Sequence, residues 1–332
     1  MVMEGDLNPT VSVIIPFCNA PHLNRAIRSI LDQTFHDFEL ILVDNASDDG
    51  TSEIAKEYAI RDKRITLISE ARKGVVWAMN SGIEAARGAF IARMDADDYS
   101  FPERLQWQLS EFTSDPSLGL VSGQVDYVGS NEGFRLYVDW MNEIVDENDI
   151  RQNQFVEFPI ANPSFMIKRS LFEKIGRFKE GDFPEDYEFF LRLQSLDVKM
   201  SKVKEVLIKW YDLPTRLTRT DARYATDAFY RVKAKYLAKW LKKHNPHHPK
   251  VLIWGAGRLS RRRSDYLLKY GIDIVCYIDL KIKPGVIHFE DIPDKDTSFI
   301  VSYVANRGAR DEIRAFLTSR NYLEFRHFIL AS

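Results

Sequence analysis

Cysteine is nearly absent from this chain: Cys18 and Cys276 are the only two in 332 residues, and both stand in apolar segments far apart. That leaves no disulfide framework and no cysteine metal site, and it suits a reducing compartment. No apolar run approaches the ~20 residues that span a bilayer. The first residues lack the basic-then-apolar order of a secretory leader, so a cytoplasmic location is expected. Net charge is −2, so the chain as a whole has no pull toward nucleic acid, and no nucleic-acid partner is expected. Hydrophobic content of 45% and charged content of 28% describe a globular protein. At this length two domains are the prior.

What is present begins as strand–helix alternation. Thr10–Pro16 is a β-branched run ended by proline, a buried first strand. A helix follows over 22–33, with Leu23, Ala26, Ile27, Ile30 and Leu31 at helical spacing. Phe38–Val43 is the second strand, and 44–51 is a turn-rich loop. A helix over 52–59, a strand at 65–68, a helix over 75–86 and a strand over 88–94 come next. The order predicts an α/β fold with helices on both faces of a mostly parallel sheet.

Asp95, Asp97 and Asp98 stand where the last of these strands ends and the chain turns toward Pro102, which suits the first turn of a helix. In open α/β sheets ligands bind beyond the carboxyl ends of strands. Carboxylates this close repel unless a cation joins them. Hard divalent ions, Mg²⁺ or Mn²⁺, favour a few carboxylates plus substrate phosphates. The alternative is a solvated acidic turn. Asp44, at the end of the second strand, has two readings: acceptor for a base ring N–H, or cap of its own loop.

The runs VSVIIPFCNA, FELILVDNASDDGT and NSGIEAARGAFIARMDADDYSFPERL, followed by NPSFMIKRSLFEKIGRF and FPEDYEFFLRL, resemble a family 2 glycosyltransferase of the GT-A fold. The resemblance covers roughly residues 8–212. It implies an inverting, metal-dependent hexosyltransferase-type enzyme using a nucleoside-diphosphate sugar, usually a UDP-sugar. It also implies a saccharide or lipid-linked saccharide acceptor, as in surface polysaccharide or glycan synthesis. The base-binding aspartate falls on Asp44 and the DxD motif on Asp95-Ala96-Asp97. Asp97 would hold the metal on the diphosphate, Asp95 would face ribose or sugar and share the metal, and Asp98 would assist. Pro16, Phe17 and Asn19 lie in the loop expected over the nucleotide. Cys18 stands where a tyrosine often stacks on the base, which leaves uracil less marked. Arg72 or Lys73 would meet phosphate or base, and Arg216 resembles a late basic position that touches phosphate.

Pro184-Glu185-Asp186 opens a helix, and all three suit a first turn. In the family an ED pair here supplies the general base, matching Asp186, with Glu185 orienting it or contacting the acceptor. Inversion is one displacement, so the attacking hydroxyl must lose a proton and no nucleophile is required. Short strands at 118–123, 125–128 and 162–167 and a helix over 169–175 should build the acceptor side. The polar stretch 134–154 reads as a loop, short helix or lid.

Residues 221–243 read as one amphipathic helix. Its back carries Arg223, Arg231, Lys233, Lys235, Lys239, Lys242 and Lys243. It suits packing between domains with a solvated basic back, or peripheral contact with an anionic membrane at its inner face. After a Pro/His linker, Gly255-Ala256-Gly257 follows a strand from Lys250, and Asp279 ends the next strand. Residues 250–332 therefore form a small Rossmann-like accessory module for binding or assembly, a homo-oligomer included. Domains are expected at 1–218, 219–249 (helix and linker) and 250–332. Arg258, Arg261, Arg262 and Arg263 crowd the start of the module's first helix, where a bound anion would offset their clash with the helix dipole. Two rivals share the fold. A catalytically inactive nucleotide-binding scaffold would lack transfer. A nucleotidyltransferase should carry a Gly-rich basic loop where Pro16–Asn19 stands.

Overall fold

The computed structural model describes residues 8–214 and 216–332 and divides into two compact units. The first takes residues up to Ile150, then Pro159–Glu180 and Asp197–Arg216. The second takes Arg151–Phe158, Gly181–Leu196 and Leu217–Ser332.

The first unit is built on an eight-stranded sheet. Its first half alternates β1 (Val11–Phe17), α1 (Leu23–Leu31), β2 (Phe38–Asp44), α2 (Thr51–Arg61), β3 (Ile65–Ser69), α3 (Val75–Ala85) and β4 (Phe90–Arg93). Strands β3, β2, β1 and β4 lie in that order and all run parallel. β1 is the centre of this half. Val11, Val13, Ile14 and Ile15 are fully buried, which its β-branched run requires. The other half holds β5 (Tyr99–Ser100), α4 (Arg104–Ser114), β6 (Leu120–Val128), α5 (Glu132–Glu143), α6 (Glu147–Asn153), β7 (Met166–Lys168), α7 (Ser170–Ile175) and β8 (Met200–Tyr211). β7 runs antiparallel to β4 and β6, β6 pairs parallel with β8, and β5 closes the edge against β8.

Several local expectations shift. Of the readings offered for 134–154 the helical one holds, as two helices, α5 and α6, and not a loop. Asn131 caps α5 by accepting the Phe134 N–H, and Val138 and Met141 are buried. The two short strands near 118–128 are one strand, β6, with register shifts around Gln124. Asn162–Ser164 is a 3₁₀ turn ahead of β7, because Pro163 fixes a helical φ. β8 was not expected. Its lysines hide the alternation, and Lys202 is itself buried, bonding the Met141 carbonyl at 2.5 Å.

In the second unit α8 (Glu185–Ser195) packs on α10 (Thr226–His244), with α9 (Leu217–Thr220) preceding it. The expected 221–243 helix starts only at Thr226, because Asp221 instead caps a 3₁₀ turn by accepting the Arg223 N–H at 2.9 Å. Its basic back is also narrower: Lys233 is 3% exposed, while Arg231, Lys235, Lys239, Lys242 and Lys243 face solvent. The rest alternates β9 (Lys250–Trp254), α11 (Arg258–Ser264), β10 (Asp273–Asp279), β11 (Val286–His288), β12 (Ile300–Ser302), α12 (Arg307–Ser319) and β13 (Phe328–Leu330). These strands form an all-parallel sheet in the order β11-β10-β9-β12-β13, the expected Rossmann-like arrangement. Among the described residues no helix is long and apolar enough to cross a membrane.

Candidate active site

The carboxyl ends of β1, β2, β3 and β4 come together because their ladders continue into the loops. Asn45 N–H bonds the Phe17 carbonyl and Glu70 N–H bonds the Asp44 carbonyl, each at 2.8 Å. Asn45 then ties two loops into one wall. Its amide nitrogen donates to the Glu70 and Arg72 carbonyls at 2.9 and 2.8 Å, and its oxygen accepts the Gly74 N–H at 2.7 Å. Pro16 and Phe17 finish β1, with Phe17 buried in the core, so only Cys18 and Asn19 project past the strand. Asn19 takes φ +49° and exchanges hydrogen bonds with Asp48 at 2.7 and 2.9 Å. Burial, outweighing the nearby Lys73 ammonium, pushes the Cys18 thiol above its ordinary value, which disfavours a reactive thiolate.

Asp44 acts as a loop cap: Oδ1 accepts the Ser47 N–H at 3.0 Å and Oδ2 accepts the Ser52 hydroxyl. A carboxylate retains further lone pairs, so capping leaves room for a base N–H. Arg72 is already committed. It forms a two-point pair with Glu70 at 2.9 and 2.7 Å and stacks 4.0 Å over Trp77.

The acid turn sits at the end of β4, where the Met94 N–H bonds the Ile14 carbonyl at 3.0 Å. Carboxylate oxygens of Asp95, Asp97 and Asp98 lie within 4.8 Å of one another. Asp98 is 1% exposed. Its Oδ1 accepts the Tyr211 N–H at 2.9 Å, and its Oδ2 is buried without a hydrogen-bond partner among the described residues. Burial, then the Asp97 and Asp95 charges, push Asp98 well above the usual carboxylate range. Asp97 is raised by burial and by Asp95, against the guanidiniums of Arg216 and Arg25.

Sequence reasoning missed several of the groups that hold this turn. Arg25, on α1, donates to the Asp97 carbonyl and lies 3.7 Å over the Tyr211 ring. Arg93 is 5% exposed and pairs with Asp95 at 3.0 Å. The Asn162 amide, oriented with its oxygen toward that guanidinium, accepts from Nη2 at 3.2 Å. Behind them Arg104 is fully buried, donating to the Arg93 carbonyl at 2.7 Å and to Gln108 at 3.1 Å. The signal was visible: Arg104 and Gln108 share a helix face with Leu105 and Phe112, and a charged group on an apolar stripe needs a buried partner. Arg216 stacks 4.5 Å over Trp210, and its charge partly offsets the rise at both Asp97 and Asp98, so the structure does bring it to the acid turn.

Glu185 and Asp186 open α8 in the second unit. Glu185 is 2% exposed and accepts the Tyr224 hydroxyl at 2.5 Å. Asp186 is half-buried, with Oδ1 on the Tyr187 N–H at 2.7 Å, as an acidic helix start allows. Glu188, one turn on, pairs with Arg192 at 2.9 Å and accepts the Tyr236 hydroxyl at 2.5 Å, which fixes α8 against α10.

Chemically this is a dense carboxylate set at the carboxyl edge of a mostly parallel sheet. The glycosyl transferase family 2 pattern matches residues 12–176. The uncharacterized glycosyltransferase MJ1057 of Methanocaldococcus jannaschii is 32% identical over 219 residues, 64% of this chain and 74% of that protein. The structure of S. aureus TarS 1–349 in complex with UDP-GlcNAc superposes with a TM-score of 0.56 at 18% identity, over 79% of this chain and 71% of that one. The mannosyltransferase PcManGT from Pyrobaculum calidifontis, in complex with GDP-Man and Mn²⁺, gives 0.50 at 19% identity, over 80% and 70%. The architecture is a GT-A-like glycosyltransferase fold followed by a small parallel-sheet domain. The chain belongs to glycosyltransferase family 2, a family of sugar-transferring enzymes.

Proposed function

We propose that this chain is an inverting, metal-dependent hexosyltransferase that moves a sugar from a UDP-sugar to an acceptor hydroxyl in the synthesis of a surface polysaccharide or similar glycan. The observation that carries this is the acid turn: three carboxylates within 4.8 Å, one of them buried with an unpartnered oxygen. Hard oxygen donors in that number fit Mg²⁺ or Mn²⁺, so the residues present suit the ion. Asp97 and Asp95 would hold it, with Asp98 behind them. A divalent ion there supplies charge neutralisation for the departing diphosphate. That the relatives in known complexes hold UDP-GlcNAc, or GDP-Man with Mn²⁺, supports a nucleotide-sugar donor and a metal.

The chain's own groups do the remainder. Asp44 receives the base N–H, and Asn45 keeps that loop in place. Arg216 and Arg25 add positive charge on the diphosphate side of Asp97. Asp186 takes the acceptor proton as the new glycosidic bond forms and the old bond to phosphate breaks. Glu185 is buried on Tyr224, so it positions the start of α8 instead of touching the acceptor.

The test is a pair of variants. Asp186→Asn should cut transfer by about 10²–10⁴-fold with donor binding unchanged. Asp97→Asn should remove metal-dependent donor binding itself. Transfer that survives Asp186→Asn would overturn the base assignment.

A further inference from the structure

Outside the acid turn, positive charge collects at a second place. The four arginines first read as an anion site at the Gly255–Gly257 turn are mostly spent. Arg261 donates to the Ala256 carbonyl at 3.0 Å and stacks on Tyr277, and Arg262 pairs with Asp227. Asp279 is spent too, accepting the Ala256 N–H at 2.8 Å. Arg263 is placed differently. Arg263 lies 4.1 Å over the Tyr230 ring, and the Lys233 ammonium lies 4.2 Å from the same ring. Tyr230 in turn faces Tyr303, the residue that leaves β12, at 6.2 Å. Arg307 and Arg310, in the first turn of α12, reach the same neighbourhood through Glu157 at 3.2 and 3.7 Å.

The charges there do not balance. Glu157 is the carboxylate that Arg307 and Arg310 share. Lys233 is met by two backbone carbonyls, of Val156 and Ala331, each at 3.0 Å. Among the described residues Arg263 has no carboxylate partner; it reaches the Ser332 hydroxyl at 3.5 Å. Arg310 is 4% exposed, and its Nη1 is buried without a hydrogen-bond partner among the described residues. Burial, with Arg263 and Arg310 adding to it against Glu157, pushes the Lys233 amine down to about 7. Arg307 and Arg310 also stand at the positive end of the α12 dipole. Arg310 is buried with Glu157 3.7 Å away and one guanidinium nitrogen left unsatisfied, and an arriving anion would meet that nitrogen and offset the repulsion among the cations.

The place also suits a ligand. The sheet order β11-β10-β9-β12-β13 reverses between β9 and β12, and ligands of open α/β sheets bind beyond the strand ends at such a point. Arg263 comes from the helix after β9, and Arg307 and Arg310 from the helix after β12.

We propose that Arg263, Arg310 and Lys233 form a second ligand site, in the C-terminal unit, that takes a phosphate group. Guanidiniums match phosphate oxygens in two-point geometry, and a dianion matches the excess charge better than a single carboxylate. The phosphate is either inorganic or carried on a nucleotide, and the experiment separates these.

Calorimetric titration of the full chain with inorganic phosphate in metal-free buffer is expected to show one site. UDP in the same buffer binds tighter if the ligand is a nucleotide and no tighter if the group alone is read; both outcomes keep the site. Arg310→Met and Arg263→Met should each weaken phosphate by about tenfold or more. Asp97→Asn, in the other unit, and the exposed Arg258→Met should leave it unchanged. Glu157→Gln should tighten it, because it removes the competing carboxylate. Arg310→Met should also raise the melting temperature in phosphate-free buffer, which rules out a folding failure as the cause of lost binding. Two results overturn the proposal: no phosphate binding at millimolar concentration, or binding indifferent to both Arg310→Met and Arg263→Met.

Discussion

Asp98→Asn isolates the least comfortable atom of the acid turn. The wild-type side chain is 1% exposed, keeps one oxygen on the Tyr211 N–H at 2.9 Å and leaves the other with no donor. Asparagine retains the bonded oxygen and replaces the orphan with an N–H₂, beside the negative charge of Asp95 and Asp97. Relieving an unsatisfied buried acceptor is worth about 1–3 kcal/mol. For a unit of this size each kcal/mol moves the midpoint by about 2–4 °C, so in EDTA the variant should melt roughly 2–12 °C higher. With a divalent ion the order reverses. Wild type gains about 2.7 kcal/mol at an ion concentration of 100 times Kd, and the variant, missing one ligand or its immediate support, gains much less. Differential scanning fluorimetry in EDTA and in a Mn²⁺ series reads both effects. If Asp98→Asn melts lower in EDTA and shifts with Mn²⁺ as far as wild type, the carboxylate serves only Tyr211 and the cation reasoning fails.

Lys202 is 3% exposed and burial holds its amine down to about 7, below its unfolded value of about 10.4. The unfolded chain binds the extra proton between those values, so stability rises with pH across that window; urea titrations of Lys202→Met should show a flatter rise and added stability at and below about pH 7. Gly88→Ala would place a Cβ 2.6 Å from the Ser12 nitrogen and 2.8 Å from the Val11 carbonyl carbon, so β1 must shift, costing about 1–3 kcal/mol in chemical denaturation. Asn45→Ala removes three hydrogen bonds, one buried and two part-buried, that join the loops after β2 and β3, costing about 2–4 kcal/mol and raising the donor KM.

The parallel half of the first unit was legible because its strands are buried on both faces and read as unbroken apolar runs, as Val11–Ile15 does. The acid turn was legible because three carboxylates in four residues are rarely left without a cation or solvent. The helices between 132 and 153 were only half legible, as a short helix beside a loop reading, because α5 buries only Val138 and Met141 and its cap, Asn131, looks like any loop residue. β8 stayed hidden because Lys202 points inward and satisfies itself on a backbone carbonyl, which no periodicity announces. Asp44 shows the other limit. Sequence allowed two roles, and the structure shows the capping bonds directly while leaving lone pairs for the second. The arginine cluster after β9 was seen, but not its partition: Asp227 and Tyr277 take two of its members, and those partners are remote in sequence.

The most direct test of the central claim is calorimetric titration of UDP into the full chain with and without Mn²⁺, in wild type and Asp97→Asn. Wild type should show a Mn²⁺-dependent UDP site that vanishes in Asp97→Asn and survives in Arg310→Met. UDP affinity that is the same with EDTA as with Mn²⁺, or the same in Asp97→Asn as in wild type, would contradict that claim.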